Sequence, residues 1–121
     1  MSLPNFLCIG SPKSATTSLF EILKQHPEIG LSSFKEPHFF DTDTNWYNGR
    51  DWYEKSYFSG LESKKSIGEF TPSYLGSKIC VSRIKETLAS DVKFIVLLRN
   101  PIDRAYSHYL HTKRDEYEKL S

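Results

Sequence analysis

The chain is 121 residues long, 38% hydrophobic and 26% charged, which suits a single domain over residues 1–121 with a real core. Its formal net charge is +1, so no basic excess exists to displace counterions along a nucleic-acid backbone, and any bound anion must be held by a local site. No apolar run reaches membrane-span length, and no basic–apolar–small leader pattern opens the chain.

Asn5 to Ile9 (NFLCI) is a short apolar run stopped by Gly10 and predicts a buried strand. Thr16 to Gln25 predicts a helix, with Leu19, Phe20, Ile22 and Leu23 on one face and Pro27 past its end. Gly30 to Gly49 is aromatic-rich and reads as irregular. Arg50 to Phe58 predicts a short helix turning Trp52, Tyr53 and Tyr57 to the core. Ser66 to Phe70 (SIGEF) predicts a second strand, ended by Thr71-Pro72. From Ser77 to Ala89, Val81, Ile84 and Leu88 recur at helical spacing behind a Ser cap. Phe94 to Leu98 (FIVLL) is unbroken apolar sequence, as in the middle of a parallel sheet covered on both faces. Asn100-Pro101 then opens a helix with a capping Asn and Pro at the first position, continued by Ile102, Ala105, Tyr106, Tyr109 and Leu110. Strands alternating with helices predict an α/β fold with a parallel sheet. Cys8 and Cys80 are expected to be reduced core thiols, since nothing resembles a disulfide framework.

Gly10 to Ser18 (GSPKSATTS) joins the first strand to the first helix, where loop N–H groups and a helix N-terminus converge on an anion. Lys13 supplies a point charge, and Thr16, Thr17 and Ser18 supply hydroxyls in the first helical turn. The competing reading is an ordinary strand–turn–helix whose hydroxyls only cap. The nucleotide triphosphatase loop is not matched: Ala15 stands at its second Gly and Thr16 at its Lys.

The loop resembles the 5′-phosphosulfate loop of sulfotransferases that use 3′-phosphoadenosine 5′-phosphosulfate (PAPS), Gly-x-Pro-Lys-x-Gly-Thr-Thr, with Ala15 in place of the usual Gly. That replacement puts a positive φ at risk and with it cofactor affinity. The resemblance implies that Ser11, Lys13, Ser14, Ala15, Thr16, Thr17 and Ser18 bind the cofactor, with Lys13 also stabilising charge on the transferring group. Leu98 to Tyr109 (LRNPIDRAYSHY) resembles the same family's 3′-phosphate motif, which assigns Arg99 and Ser107 to that phosphate. A guanidinium fits the role, because it can grip phosphate in a bidentate fork. Arg104 is read as a structural or rim charge.

Lys35 to Asp41 (KEPHFFD) resembles the acceptor-side segment of the branch that sulfates heparan-type sugars and its bacterial relatives. The resemblance makes Glu36 the general base, His38 the competing base, and Asp41 their neighbour on the acceptor side. A base is needed because an acceptor hydroxyl must lose its proton as it attacks sulfur. Aromatic neighbours are expected to desolvate Glu36 and raise its proton affinity. Core packing of His38 and capping by Asp41 are the structural alternatives. Glu69, in GEFTPSYL, is read as acceptor-side or structural.

Together these segments imply a three-layer, P-loop NTPase-like sulfotransferase fold, incomplete on its C-terminal side, and transfer of a sulfuryl group from PAPS to a hydroxyl or amine, with carbohydrate favoured. An incomplete sheet would leave an edge open to self-association, and turnover is expected to be weak or absent. Two alternatives stand beside this: a P-loop kinase, disfavoured because FIVLL ends in Arg99 rather than a Mg²⁺-binding carboxylate, and a non-catalytic nucleotide-binding module. No metal is expected, because lysine, arginine and backbone donors meet the cofactor's phosphates. Nucleic acid is not an expected partner, and no membrane span is expected in this chain. The expected compartment is bacterial cytoplasm, or the Golgi lumen for a eukaryotic chain separated from its anchor.

Overall fold

The computed structural model describes residues 2–12 and 14–98. Four strands, β1 (Phe6–Gly10), β2 (Ile29–Leu31), β3 (Ser66–Phe70) and β4 (Lys93–Val96), form one parallel sheet in the order β2-β3-β1-β4. Between them run α1 (Thr16–Lys24), α2 (Asp43–Trp46), α3 (Arg50–Tyr57), a 3₁₀ turn at Pro72–Gly76, and α4 (Lys78–Thr87). The predicted α/β class with a parallel sheet is what forms.

Successive side chains of a strand point to opposite faces, and β1 uses this to serve two cores. Phe6 and Cys8 pack with Phe20 of α1 and Phe70 of β3. Leu7 packs on the other side with Phe39, Phe40, Tyr53, Phe58, Ile67, Ile84 and Leu88. Both faces of β1 are covered, so an apolar run without alternation is what this position demands. Gly68 of β3 lies against the Phe6 ring, where an added Cβ would collide. Cys8 and Cys80 are both buried free thiols, as expected, and burial pushes both up from the ordinary thiol range.

Several local expectations are corrected. FIVLL does not hold the middle of the described sheet: β4 pairs with β1 alone, and Phe94 is 51% exposed. The inner strands are β3 and β1, and the apolar run of β1 is no longer than that of FIVLL, so composition could not rank β1 against β4. Gly30 to Gly49 is not wholly irregular, since it contains the last two residues of β2 and all of α2, elements of three and four residues that are too short to show a period. On α1, Phe20 is buried but Ile22 is 64% exposed, because one nine-residue helix meets the sheet along a narrow stripe. On α4 the buried residues include Cys80, Ile84 and, just past its end, Leu88, whereas Val81 faces out. Ser77 occupies the cap position without making a side-chain capping bond.

Candidate functional site

The parallel strands bring the ends of β1 and β3 to the same edge of the sheet, the edge where open α/β sheets present their ligand sites. The loop after β1 is tied to the end of β4: Ser11 N–H donates to Leu97 O at 3.0 Å and Leu97 N–H to Gly10 O at 2.9 Å. Ala15 then adopts φ 64°, ψ 25°, so the left-handed turn that favours glycine is made here by alanine. Thr16 starts α1, whose first turn carries no acidic residue and therefore leaves its N–H groups and positive dipole end open to an anion.

Ser14 is the loop's most informative side chain. It is buried, and its Oγ has no hydrogen-bond partner among the described residues. A buried hydroxyl without a partner is costly, and a phosphate or sulfate oxygen seated in the loop would satisfy it. The described donor set therefore fits an anionic group. Ser11 is half-buried, Thr16 is buried, and Thr17 and Ser18 are exposed. Lys13, Arg99 and Ser107 lie outside the described residues.

Facing the loop is the segment after β2. Lys35 Nζ donates to Thr17 Oγ1 at 2.6 Å and approaches Thr16 Oγ1 at 3.4 Å. This is the residue that sequence reasoning passed over. It lies 18 residues from Thr17, so no local pattern linked it to the loop, and its place beside Glu36 was the only signal.

Glu36 and His38 both have positive φ, at 62° and 53°. Left-handed backbone at such residues costs ~1–3 kcal/mol each and persists only where the surroundings impose it. Here Glu36 N–H is fixed to Phe70 O at 2.9 Å, and Asn45 Nδ2 donates to Pro37 O at 3.3 Å and His38 O at 3.0 Å. Arg83 reaches from α4 to Phe40 O at 3.2 Å and Asp43 Oδ1 at 2.7 Å while lying 5.1 Å from the centre of the Trp46 ring. Phe39 and Phe40 anchor the segment, each fully buried, with Phe39 stacked on Tyr53 at 4.2 Å between ring centres. Burial of two phenyl side chains contributes ~1.5–3 kcal/mol each, enough to offset the backbone strain.

The Glu36 side chain is exposed, so the desolvating shell expected around it is not present. His38 is neither a packed core residue nor isolated. Its Nδ1 lies 3.1 Å and 3.2 Å from the two oxygens of Asp41, so the tautomer donating from Nδ1 leaves Nε2 as an acceptor. Ser73 Oγ donates to Asp41 Oδ2 at 2.6 Å, and Thr42 Oγ1 to Asp41 Oδ1 at 3.1 Å. Burial alone would push the Asp41 carboxyl up, but these hydrogen bonds and the His38 ring outweigh it and hold it below the ordinary range.

The desolvated carboxyl is Glu69 instead. It is fully buried, which pushes it up to about 7 against the pull of hydrogen bonds from Thr71, Tyr53 and Tyr74. Thr71 Oγ1 donates to Glu69 Oε1 at 2.6 Å, and both tyrosine hydroxyls donate to Oε2.

The loop, the segment after β2 and the 3₁₀ turn after β3 enclose one cleft of about 460 Å³. Pro12, Ala15, Thr16 and Thr17 line one side, and Lys35, Glu36, His38, Pro72 and Ser73 the other. Sequence-predicted residues as far apart in the chain as Ala15 and His38 thus share a wall-to-wall space, whereas Ser11, Ser14 and Ser18 belong to the loop without lining it. Among the described residues, no group of three or more His, Cys, Asp or Glu side chains is placed to hold a metal ion, and no helix is long and apolar enough to cross a membrane.

Comparison with known proteins gives a consistent picture. The family model described as "Sulfotransferase domain" matches residues 3–119. A membrane-associated sulfotransferase, kil1, of Dictyostelium discoideum is 40% identical over 111 residues, covering 90% of this chain and 23% of the relative. Heparan sulfate glucosamine 3-O-sulfotransferase 3A1 of Mus musculus is 36% identical over 110 residues, covering 91% of this chain and 27% of the relative. The crystal structure of a sulfotransferase from Alicyclobacillus acidocaldarius superposes with a TM-score of 0.74 at 34% identity, covering 100% of this chain and 54% of that one. The chain thus spans about a quarter of the length of these curated relatives and about half of the solved structure.

Proposed function

Because the chain belongs to the sulfotransferase family, we propose that its cleft receives the 5′-phosphosulfate end of PAPS on one wall and an acceptor hydroxyl on the other. The observation that carries this reading is the meeting of the two walls at a single point, Lys35 Nζ against Thr17 Oγ1 at 2.6 Å. When bound, PAPS supplies the sulfuryl group. The chain's own residues bind it, orient it and move one proton.

On the donor wall, the N–H groups of the turn, the Ser14 hydroxyl and the Thr16 and Thr17 hydroxyls hold the phosphosulfate oxygens, with Ser11 and Ser18 flanking them. Lys13, by family resemblance, and Lys35, by position, supply positive charge where the leaving phosphate gains negative charge. Arg99 and Ser107 take the 3′-phosphate by the same resemblance. This division follows phosphoryl-transfer logic, in which positioning and electrostatics dominate.

On the acceptor wall, Glu36 is the base. It is exposed to the cleft, and a carboxylate there can accept the hydroxyl proton as the oxygen attacks sulfur. A second reading has a specific observation behind it: the His38–Asp41 pair, at 3.1 Å, is arranged as an oriented base whose other ring nitrogen, Nε2, is the acceptor. The name of the mouse relative, a heparan sulfate glucosamine 3-O-sulfotransferase, supports a carbohydrate hydroxyl as acceptor. The kinase alternative has no support from any of the relatives above.

Glu36→Gln separates the two bases. With Glu36 as base, transfer from PAPS to a heparan-type oligosaccharide slows by ~10²–10⁴-fold while affinity for adenosine 3′,5′-bisphosphate is unchanged. A variant that keeps the wild-type rate removes Glu36 from the role and leaves it to His38.

A further inference from the structure

Glu69 and Tyr74 take no part in the chemistry proposed above, yet both are buried members of one hydrogen-bonded polar cluster. Glu69 is 0% exposed and Tyr74 3%. Tyr74 Oη donates to Glu69 Oε2 at 3.2 Å and accepts from two backbone amides, Phe39 N–H at 3.0 Å and Phe40 N–H at 3.4 Å. A phenol has one proton and two acceptor lone pairs. With its proton directed to Glu69 in a hydrogen bond, both lone pairs are turned to the acceptor segment, and the oxygen has no spare valence.

Thr71 repeats the arrangement on a smaller scale. Its Oγ1 donates to Glu69 Oε1 at 2.6 Å and faces His38 N–H at 3.5 Å. One buried carboxylate therefore orients two hydroxyls, and those hydroxyls meet three consecutive amides, 38 to 40. Glu36 and His38, with their positive φ, lie in or beside that run.

We propose that Tyr74, with its proton anchored on Glu69, is a positioning residue that latches the acceptor segment and so aims Glu36 and His38 into the cleft. The latch acts through the backbone, not through the substrate. Burial and then the nearby Glu69 carboxylate push the Tyr74 hydroxyl well above its ordinary range, so it keeps the proton it donates. The aiming of a base rests on the function proposed above; the latch itself does not.

Tyr53 provides the control. It also donates to Glu69 from full burial, and it touches the acceptor segment through its ring rather than its hydroxyl. Tyr53→Phe and Tyr74→Phe each delete one buried hydroxyl from the same carboxylate, but only Tyr74→Phe deprives the Phe39 and Phe40 amides of their acceptor. Amide hydrogen exchange read by NMR on the whole chain is expected to speed up about 10-fold or more at Phe39 and Phe40 in Tyr74→Phe, with β1 amides unchanged. Tyr53→Phe leaves both amides protected. If Tyr74→Phe does not fold, Thr71→Val puts the same question to the His38 amide.

In transfer assays Tyr74→Phe is expected to lower kcat by about 10- to 100-fold with the KM for PAPS unchanged, as misplacement of a base predicts. Unchanged protection at Phe39 and Phe40 in Tyr74→Phe would overturn the latch. Equal acceleration in both variants would overturn it too, because the cluster would then be generic core. If the exchange result holds while the wild-type chain fails to bind adenosine 3′,5′-bisphosphate, the latch stands and the sulfotransferase reading falls.

Discussion

Ala15 sits at φ 64° where a glycine would be at ease. A side chain in left-handed backbone costs ~1–2 kcal/mol, and Gly would recover this less ~0.5–1 kcal/mol of its own chain entropy. Ala15→Gly is therefore expected to stabilise the fold by ~0.5–1 kcal/mol in denaturant titration. A destabilised variant would show that the turn is not strained. The sequence exposed this position directly, because a family pattern calls for Gly there. It gave no comparable warning for Glu36 and His38, whose positive φ values depend on bonds to Phe70, Asn45 and Arg83 from distant parts of the chain. Glu36 shows the same limit from the other side. Its aromatic neighbours in sequence, Phe39 and Phe40, turn into the core and leave it exposed.

At the level of elements, β3 carries the burial that sequence reasoning assigned to the acceptor segment. The Glu69 carboxyl is held up at about 7, above its ordinary 4.5. Between those values the folded chain keeps a proton that the unfolded chain has lost. Its contribution to stability is full below 4.5 and lost as the pH rises through about 7. Melting temperature is expected to fall between about pH 5 and pH 8, and Glu69→Gln, which cannot ionise, flattens that component. Parallel pH profiles for the two proteins would contradict the assignment. The strand itself was legible, since SIGEF was read with the bounds it has. Its neighbour β2 was not: three residues show no period, and its pairing with β3 is a tertiary choice. The ranking of β1 and β4 in the sheet was equally hidden, because both are apolar runs and only the packing of helices decides which is covered on both faces.

Over the whole molecule, the α/β class and the family were readable because three motif segments fall at fixed places in the strand–helix alternation. The cleft between Thr17 and Lys35 was not, since their approach depends on β1 and β2 flanking β3 in one sheet. The chain matches about a quarter of the curated relatives' length yet holds the loop and the facing acceptor segment in one cleft. Binding of the donor's nucleotide is the property this part of the fold should carry by itself. The most direct test is a thermal-shift titration of the chain with adenosine 3′,5′-bisphosphate in the absence of metal, set against ATP with Mg²⁺. A ligand that binds only the native state adds ~2.7 kcal/mol at a concentration of about 100 times its Kd, so the melting temperature is expected to rise with the bisphosphate and to respond much less to ATP with Mg²⁺. A folded chain whose melting temperature ignores the bisphosphate, or rises only with ATP and Mg²⁺, would contradict a sulfotransferase donor site.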